Sequence, residues 1–385
     1  MATAVPSSGS KPFLSPRAKA RMIWLKVHRW LGLGLLLVMF VFGATGSALV
    51  WPQYFDGWIN PDRYSAASTQ SVQLDELFLR KATAALPEGD SVSGIRIPPK
   101  AGAVLIAGQV NGPPPMGLGP PSRAQAWLHP VNGEALDRVA GAGGFVWALH
   151  AIHGHLLLST YGREVVALSG LFLFASAISG IWLWWPGWRR TVKALRWQKG
   201  ASVSLNLHRQ TGALAAIIII IEAVTGAYIA VPQLFVPIIE PGAVSSRATM
   251  EGPPRGKALP LRQQSLEQVV AAASNAAGKS GALPATIFLP TIDEPVWKIT
   301  YRSPQSEQIV RVADKTGEAV LLPAPPPPGR AQKVERVLID IHFGHYGIVW
   351  QIIVFLSGIV LAILPVTGLL IWLQKCQKPK RKVAS

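Results

Sequence analysis

A single cysteine in 385 residues, Cys376, removes several kinds of chemistry at once. No disulfide can form within the chain, and no cysteine-based zinc or iron–sulfur site can be built. Charge is also scarce. Only 15% of the residues are Asp, Glu, Lys or Arg, and 49% are apolar. Soluble domains carry about 25% charged residues, so this composition points to a membrane. Acid is the scarcer sign, with 20 Asp and Glu against 37 Lys and Arg. No Gly-x-Gly-x-x-Gly run follows a strand-like stretch, so nothing indicates a dinucleotide fold.

What is present begins with four apolar segments, roughly Leu31–Trp51, Val165–Trp185, Ala213–Val231 and Ile348–Leu373. Crossing a bilayer takes about 20 residues, so each is long enough. The first follows a basic N-terminal stretch, as a signal peptide would. Its apolar region is too long for that and no small-x-small cleavage site follows, so it reads as a retained helix. Charge placement then sets the orientation. Residues 1–29, the loop 186–209 and the tail 374–385 together hold 17 Lys and Arg and no acid. The other 20 basic residues equal the 20 acidic ones. By the positive-inside rule both termini and the 186–209 loop are cytoplasmic. The long loops then face a bacterial periplasm, which makes this a multi-pass inner-membrane chain. Topology accounts for the basic excess without nucleic acid.

A repeat runs through the chain. His28-Arg29-Trp30-Leu31-Gly32 opens one apolar run that ends near Trp51-Pro52-Gln53-Tyr54-Phe55. A shift of 180 positions lands on His208-Arg209-Gln210-Thr211-Gly212, whose run ends near Val231-Pro232-Gln233-Leu234-Phe235. Thr45 and Gly46 fall on Thr225 and Gly226. The chain therefore reads as a tandem internal duplication. A basic tail (1–29) leads to transmembrane helix 1 (30–55), an outer domain (56–149) and helix 2 (150–185). A basic loop (186–207) leads to helix 3 (208–236), a second outer domain (237–336), helix 4 (337–373) and a tail (374–385).

Each outer loop predicts a small α+β domain. The first has a helical stretch Leu74–Ala85, then strands near Ser93–Pro98, Ala103–Val110 and Ala124–Leu136 around an Asn132-Gly133 turn. The second has Leu266–Ala276, then Ala285–Pro290, Val296–Arg302 and Gln308–Val320 around Thr316-Gly317. Alternating apolar and polar residues flanking a Gly turn mark hairpins. The Pro-rich stretches Gly112–Pro121 and Pro323–Gly329 read as loop and spacer, because proline cannot join a sheet ladder.

Seven of the eight histidines lie at or beside apolar helix ends. His28 and His208 begin helices 1 and 3 on the basic side. His150, His153 and His155 precede helix 2, and His342 and His345 precede helix 4, on the other side. His129 falls at a strand end and has no assigned role. Imidazole alone can hold zinc, copper or haem iron. A helix turns about 100° per residue, so His28 and Gly46, 18 positions apart, share a face, as do His208 and Gly226. Gly32 and Gly212 lie near that face. A porphyrin between helices needs small neighbours, which a bare zinc ion does not. The alternative is that these glycines only let helices pack closely.

On the other side, His153 lies 16 residues before Ser169-Gly170 and His342 lies 15 before Ser357-Gly358, which makes them equivalents. His150 and His345 are three residues from them and stand as alternates. Glu222, alone in an apolar run, is a candidate to sit behind the haem ligands. Acids there are expensive and often functional, and this one could bond a haem propionate or move a proton. A carboxyl satisfied by a neighbouring hydroxyl is the alternative.

These residues resemble the PepSY-associated transmembrane family over nearly the whole chain. The likeness rests on His28-Arg29-Trp30-Leu31-Gly32, on His153 with Leu156-Leu157-Leu158 and Gly162-Arg163, on His208-Arg209 with Gly212, and on Ile341-His342-Phe343-Gly344. The outer hairpins Gly133-Glu134 and Gly317-Glu318 are similar to PepSY modules. Within the family the chain looks most like the FoxB-type siderophore reductases of the inner membrane. The resemblance implies a membrane α-helical fold of four transmembrane helices with two periplasmic α+β PepSY-like domains. It also implies two b-type haems on His28, His208, His153 and His342, and reduction of a ferric siderophore, such as one of hydroxamate type, in the periplasm. The lipid bilayer surrounds the helices, and the donor is quinol or a separate reductase. The rival readings are a protease-binding PepSY protein, a general b-type electron carrier, and a transporter.

Overall fold

The computed structural model describes residues 15–65, 72–99, 102–109, 123–140, 144–158, 160–185, 187–243, 256–279, 282–303, 307–324 and 327–377. Gly112–Pro121 lies outside them, as do part of Pro323–Gly329, Lys11 and the tail from Lys378. In chain order the first elements are α1 (Pro16–Gly34), α2 (Leu36–Val50), α3 (Pro52–Ile59), α4 (Glu76–Ala84), β1 (Val92–Arg96), β2 (Val104–Gly108), β3 (Gln125–Leu128), β4 (Ala135–Val139), α5 (Phe145–His155) and α6 (Gly162–Trp184). They are followed by α7 (Thr191–Ala194), α8 (Val203–Ala230), α9 (Pro232–Ile239), α10 (Leu266–Ala276), β5 (Thr286–Phe288), β6 (Val296–Arg302), β7 (Glu307–Ala313), β8 (Ala319–Leu321), α11 (Arg330–His342) and α12 (Ile348–Cys376). The chain divides into two units. One comprises residues 1–47, 166–229 and 340–385, the other 48–165 and 230–339.

The first unit is helical. α6, α8 and α12 are each long and apolar enough to cross a membrane, and α1 with α2 makes a fourth span if that bent pair is counted as one. The pair bends by 63°. The bend falls at Leu35 (φ −91°, ψ 1°), just after Gly32 and Gly34, and glycine is a common cause of a sharp kink. Small residues set the helix crossings. A Cβ built on Gly43 of α2 would lie 2.5 Å from the backbone of α12 at Gly358, and one on Gly170 of α6 would lie 3.0 Å from the Ala223 carbonyl of α8. Such close backbone approach is typical of membrane helix pairs.

The expected helices are broken where the apolar runs meet polar chain. Helix 1 ends at Trp51 and helix 3 at Val231, each followed by an eight-residue helix that starts on proline. Trp51 (φ −128°, ψ 59°) and Val231 (φ −134°, ψ 59°) share one conformation. A residue before proline is held out of the helical region, so Pro52 and Pro232 stop one helix and start the next. Helix 2 is interrupted between α5 and α6, where Leu156, Leu157 and Tyr161 take positive φ of 51°, 60° and 58°. Helix 4 is interrupted between α11 and α12, with Gly344 and Gly347 at φ 77° and 95°.

The second unit holds one eight-stranded antiparallel sheet of order β4-β3-β2-β1-β5-β6-β7-β8. The expected pair of outer domains thus shares a single sheet. They join where β1 pairs with β5, with Ile95 opposite Ile287. Each half supplies one helix and four strands. Phe78, Leu79 and Ala82 of α4 and Leu266, Val269 and Ala273 of α10 bury into one core with Ile95, Ile106, Leu128, Ile287, Trp297 and Val310. α10 starts on a capping box of Ser265 and Gln268, and the hairpin glycines Gly133 and Gly317 take positive φ. The unit's buried Arg63 is paired. Arg63 bonds Asp56 at 2.8 Å and Asp137 at 2.5 Å, and its guanidinium lies 3.7 Å over the Trp127 ring. Burial, together with the Asp56 carboxylate it bonds, pushes the Tyr64 phenol up to about 12.

Candidate functional site

Three histidines of the helical unit are seated in the same way on three different helices. His28 of α1 places Nδ1 2.9 Å from Ser179 Oγ and 3.1 Å from the Ser176 carbonyl of α6. His208 of α8 places Nδ1 3.1 Å from Thr367 Oγ1 and 3.0 Å from the Leu364 carbonyl of α12. His342, at the end of α11, places Nδ1 2.9 Å from Thr225 Oγ1 of α8. Each ring lies on the glycine that follows the hydroxyl residue. A Cβ on Gly180, Gly368 or Gly226 would lie 3.2, 3.5 or 3.1 Å from the Cε1 of His28, His208 or His342 respectively.

The hydroxyls fix the tautomer. Ser179 donates to the Ser176 carbonyl at 2.7 Å, Thr367 to Leu364 at 2.9 Å and Thr225 to Ile221 at 2.8 Å. A hydroxyl has one proton to give, so toward the ring it can only accept. Nδ1 therefore carries the proton and Nε2 keeps its lone pair. This is how metal-binding histidines are set, with the second nitrogen tied to a carbonyl or oxygen behind it.

His28 and His208 face one another with ring centroids 6.1 Å apart and planes 75° apart. A metal–imidazole bond is about 2.0 Å, and the centroid lies roughly 1 Å behind the nitrogen, so two rings on one ion stand about 6 Å apart. The pair lines a cavity of about 350 Å3 with Gly32, Gly212, Gly180 and Gly368. Arg21, Arg29, Arg209 and Lys375 also line it. Trp184 does too, and its buried Nε1 has no partner among the described residues. An apolar cleft lined by two imidazoles, four cations and an indole N–H with no partner among the described residues suits a haem with its two carboxylates. Among the described residues no three His, Cys, Asp or Glu converge on a point.

The remaining histidines are placed differently. His345 sits on an exposed turn with Nδ1 2.9 Å from Asp340. His150 is exposed, and its Nδ1 lies 2.9 Å from the Val146 carbonyl of its own helix. His153 and His155 are half-buried positions of α5, in the sheet-bearing unit. His129 Nδ1 accepts the backbone N–H of Val131 at 3.3 Å, which makes it a turn cap. Glu222 lies against His342, with Oε2 2.9 Å from Nδ1. Ionisable groups in a span cost up to about 3 kcal/mol on insertion scales, so a specific partner is what one expects to find there.

The hydroxyls behind the rings are the functional groups that reading the sequence by histidine misses. Their signal is present nonetheless. Each span carries at least one Ser/Thr-Gly dipeptide: Thr45-Gly46, Ser169-Gly170, Ser179-Gly180, Thr211-Gly212, Thr225-Gly226, Ser357-Gly358 and Thr367-Gly368. Three of the seven, at Ser179, Thr225 and Thr367, seat an imidazole of the helical unit.

The profile of the PepSY-associated TM region family matches residues 25–375. The chain belongs to that family. The match takes in His28, His208 and His342 with their hydroxyl-glycine seats, and it makes this PepSY-associated chain a membrane protein. A comparison with curated proteins finds no match.

Proposed function

We propose that this PepSY-associated chain is a di-haem reductase of the FoxB type, carrying electrons across a bacterial inner membrane to ferric siderophores in the periplasm. The His28–His208 pair carries the reading, with centroids 6.1 Å apart and both Nδ1 protons committed behind the rings. These two imidazoles would hold one b-type haem, with Arg21, Arg29, Arg209 and Lys375 available to its carboxylates. The second would rest on His342, whose counterpart in the repeat is His153. His345 and His150 are the weaker choices, because both are exposed. Bound haem supplies reversible one-electron chemistry between Fe(III) and Fe(II). An imidazole on each face leaves no open coordination position, which suits electron transfer rather than oxygen chemistry.

The basic segments put the His28–His208 end on the cytoplasmic side. A membrane potential negative on that side then favours outward electron movement by about 2.3 kcal/mol per 100 mV. At the periplasmic end one electron converts siderophore-bound Fe(III) to Fe(II), which hard oxygen chelators hold poorly, and the iron is released. With no dinucleotide fingerprint, the donor is quinol or a separate reductase.

The test is anaerobic mixing of the dithionite-reduced, desalted protein with a ferric hydroxamate siderophore. The reading expects the reduced haem bands to collapse while a ferrous chelator traps one Fe(II) per electron lost. Reduced bands that persist at saturating siderophore contradict the reductase. A pigment-free protein leaves the protease-binding alternative standing.

A further inference from the structure

Of the three seated histidines, only His342 has a carboxylate behind it. Its Nδ1 lies 2.9 Å from Glu222 Oε2 as well as 2.9 Å from Thr225 Oγ1. Thr225 already donates to the Ile221 carbonyl, so its oxygen accepts from Nδ1–H, and the Glu222 carboxylate stands at ion-pair distance from the same nitrogen. The Glu222 side chain is 16% exposed and that of His342 18%. The second oxygen, Glu222 Oε1, is buried with no protein partner among the described residues. The negative charge is therefore poorly matched except through the bond to Nδ1, and low dielectric strengthens that bond. The corresponding contacts of His28 and His208 are a hydroxyl and a peptide carbonyl, both neutral. Glu222 has no equivalent in the first half of the chain, where the 180-residue shift places Phe42.

We infer that Glu222 is a positioning residue that lowers the reduction potential of the haem held by His342, making the two haem sites unequal by design. The inference rests on the di-haem reading above. The physical step is short. A carboxylate pulling on Nδ1–H leaves more negative charge on the ring, so Nε2 becomes a stronger donor. A stronger donor stabilises Fe(III) over Fe(II). Giving up the electron then becomes easier at the end of the chain that meets the substrate, and no proton has to leave Nδ1. A chelator of hard oxygens prefers Fe(III), so its iron is difficult to reduce, and a strongly reducing outer site answers that need.

The test is a potentiometric titration of purified full-length protein, wild type against Glu222→Gln, with haem counted per chain in both. The amide keeps an acceptor for Nδ1 and removes the charge. We expect two haems in each protein, one midpoint unchanged and the other raised. At a fixed potential the oxidised-to-reduced ratio of that haem should fall at least tenfold, equivalent to about 59 mV for one electron. Two haems with unaltered midpoints in Glu222→Gln overturn the inference and leave the di-haem reading intact. A wild type without haem overturns that reading and the inference with it. If Glu222→Gln loses one haem, Glu222→Asp decides. Its retained charge should restore the second haem at low potential, and a Glu222→Asp protein that also lacks it overturns the proposal.

Discussion

The two units differ in what their buried polar networks are built around. In the sheet-bearing unit two networks, around Arg63 and Asp314, are closed by protein partners, while Tyr301 Oη and Gln308 Oε1 are buried without one among the described residues. Arg63 is bonded by Asp56 and Asp137 and covered by Trp127, and Asp314 accepts from both the Trp297 indole and the Gln263 backbone. Such networks are satisfied and hold the fold. In the helical unit the polar groups close on one side only. Ser179, Thr367 and Thr225 each bond a histidine Nδ1 from behind. The cavity there also holds Trp184, whose buried N–H is unmatched among the described residues. A saturated network indicates architecture, and a half-saturated one indicates a site.

Substitutions that sharpen this contrast can be ranked. The largest effect should come from His208→Ala, which removes one face of the inner pair. We expect half of the haem absorbance to disappear, while His129→Ala, a change at a turn cap, leaves the spectrum as it was. Next is Gly180→Leu. A Cβ there already lies 3.2 Å from His28 Cε1, so a larger side chain must displace the ring. The inner haem should be lost or become high-spin, seen by absorption and electron paramagnetic resonance, with far-UV circular dichroism unchanged. Arg63→Met runs the other way. It leaves Asp56 buried without its cation, and breaking such a pair costs about 3–5 kcal/mol. The sheet-bearing unit should unfold earlier on heating while the haem bands hold at low temperature. Loss of haem at low temperature would break the contrast between the units.

The smallest effect is alkaline. The folded Tyr64 phenol, at about 12, lies above its ordinary value near 10. Its contribution is complete below pH 10 and is lost as pH rises through 12, because the unfolded chain gives up that proton first. Difference titration of tyrosinate absorbance between wild type and Tyr64→Phe should show one phenol ionising late.

Local signals were legible in the sequence and distant pairings were not. The 180-residue repeat carried the apolar spans, and the matched proline stops at Pro52 and Pro232 can be read directly. His28 and His208 stand out for the same reason, since each opens the same local motif, followed by Arg29 or Arg209 and then Gly32 or Gly212. The joining of both outer loops into one sheet depends on Ile95 meeting Ile287, and nothing local in either strand encodes that choice. The breaks at Leu156–Tyr161 were hidden because leucine and tyrosine are not turn residues. Glu222 was visible as an isolated acid, but its bond to His342, 120 positions away, comes from how α8 and α11 meet.

The central claim is that opposed, tautomer-locked histidines hold haem in this chain. Its most direct test is a reduced-minus-oxidised spectrum of the purified protein, with haem quantified per chain. The account predicts sharp low-spin b-type bands at two haems per chain, falling to one in His208→Ala. A folded, correctly inserted protein with no haem bands would contradict it.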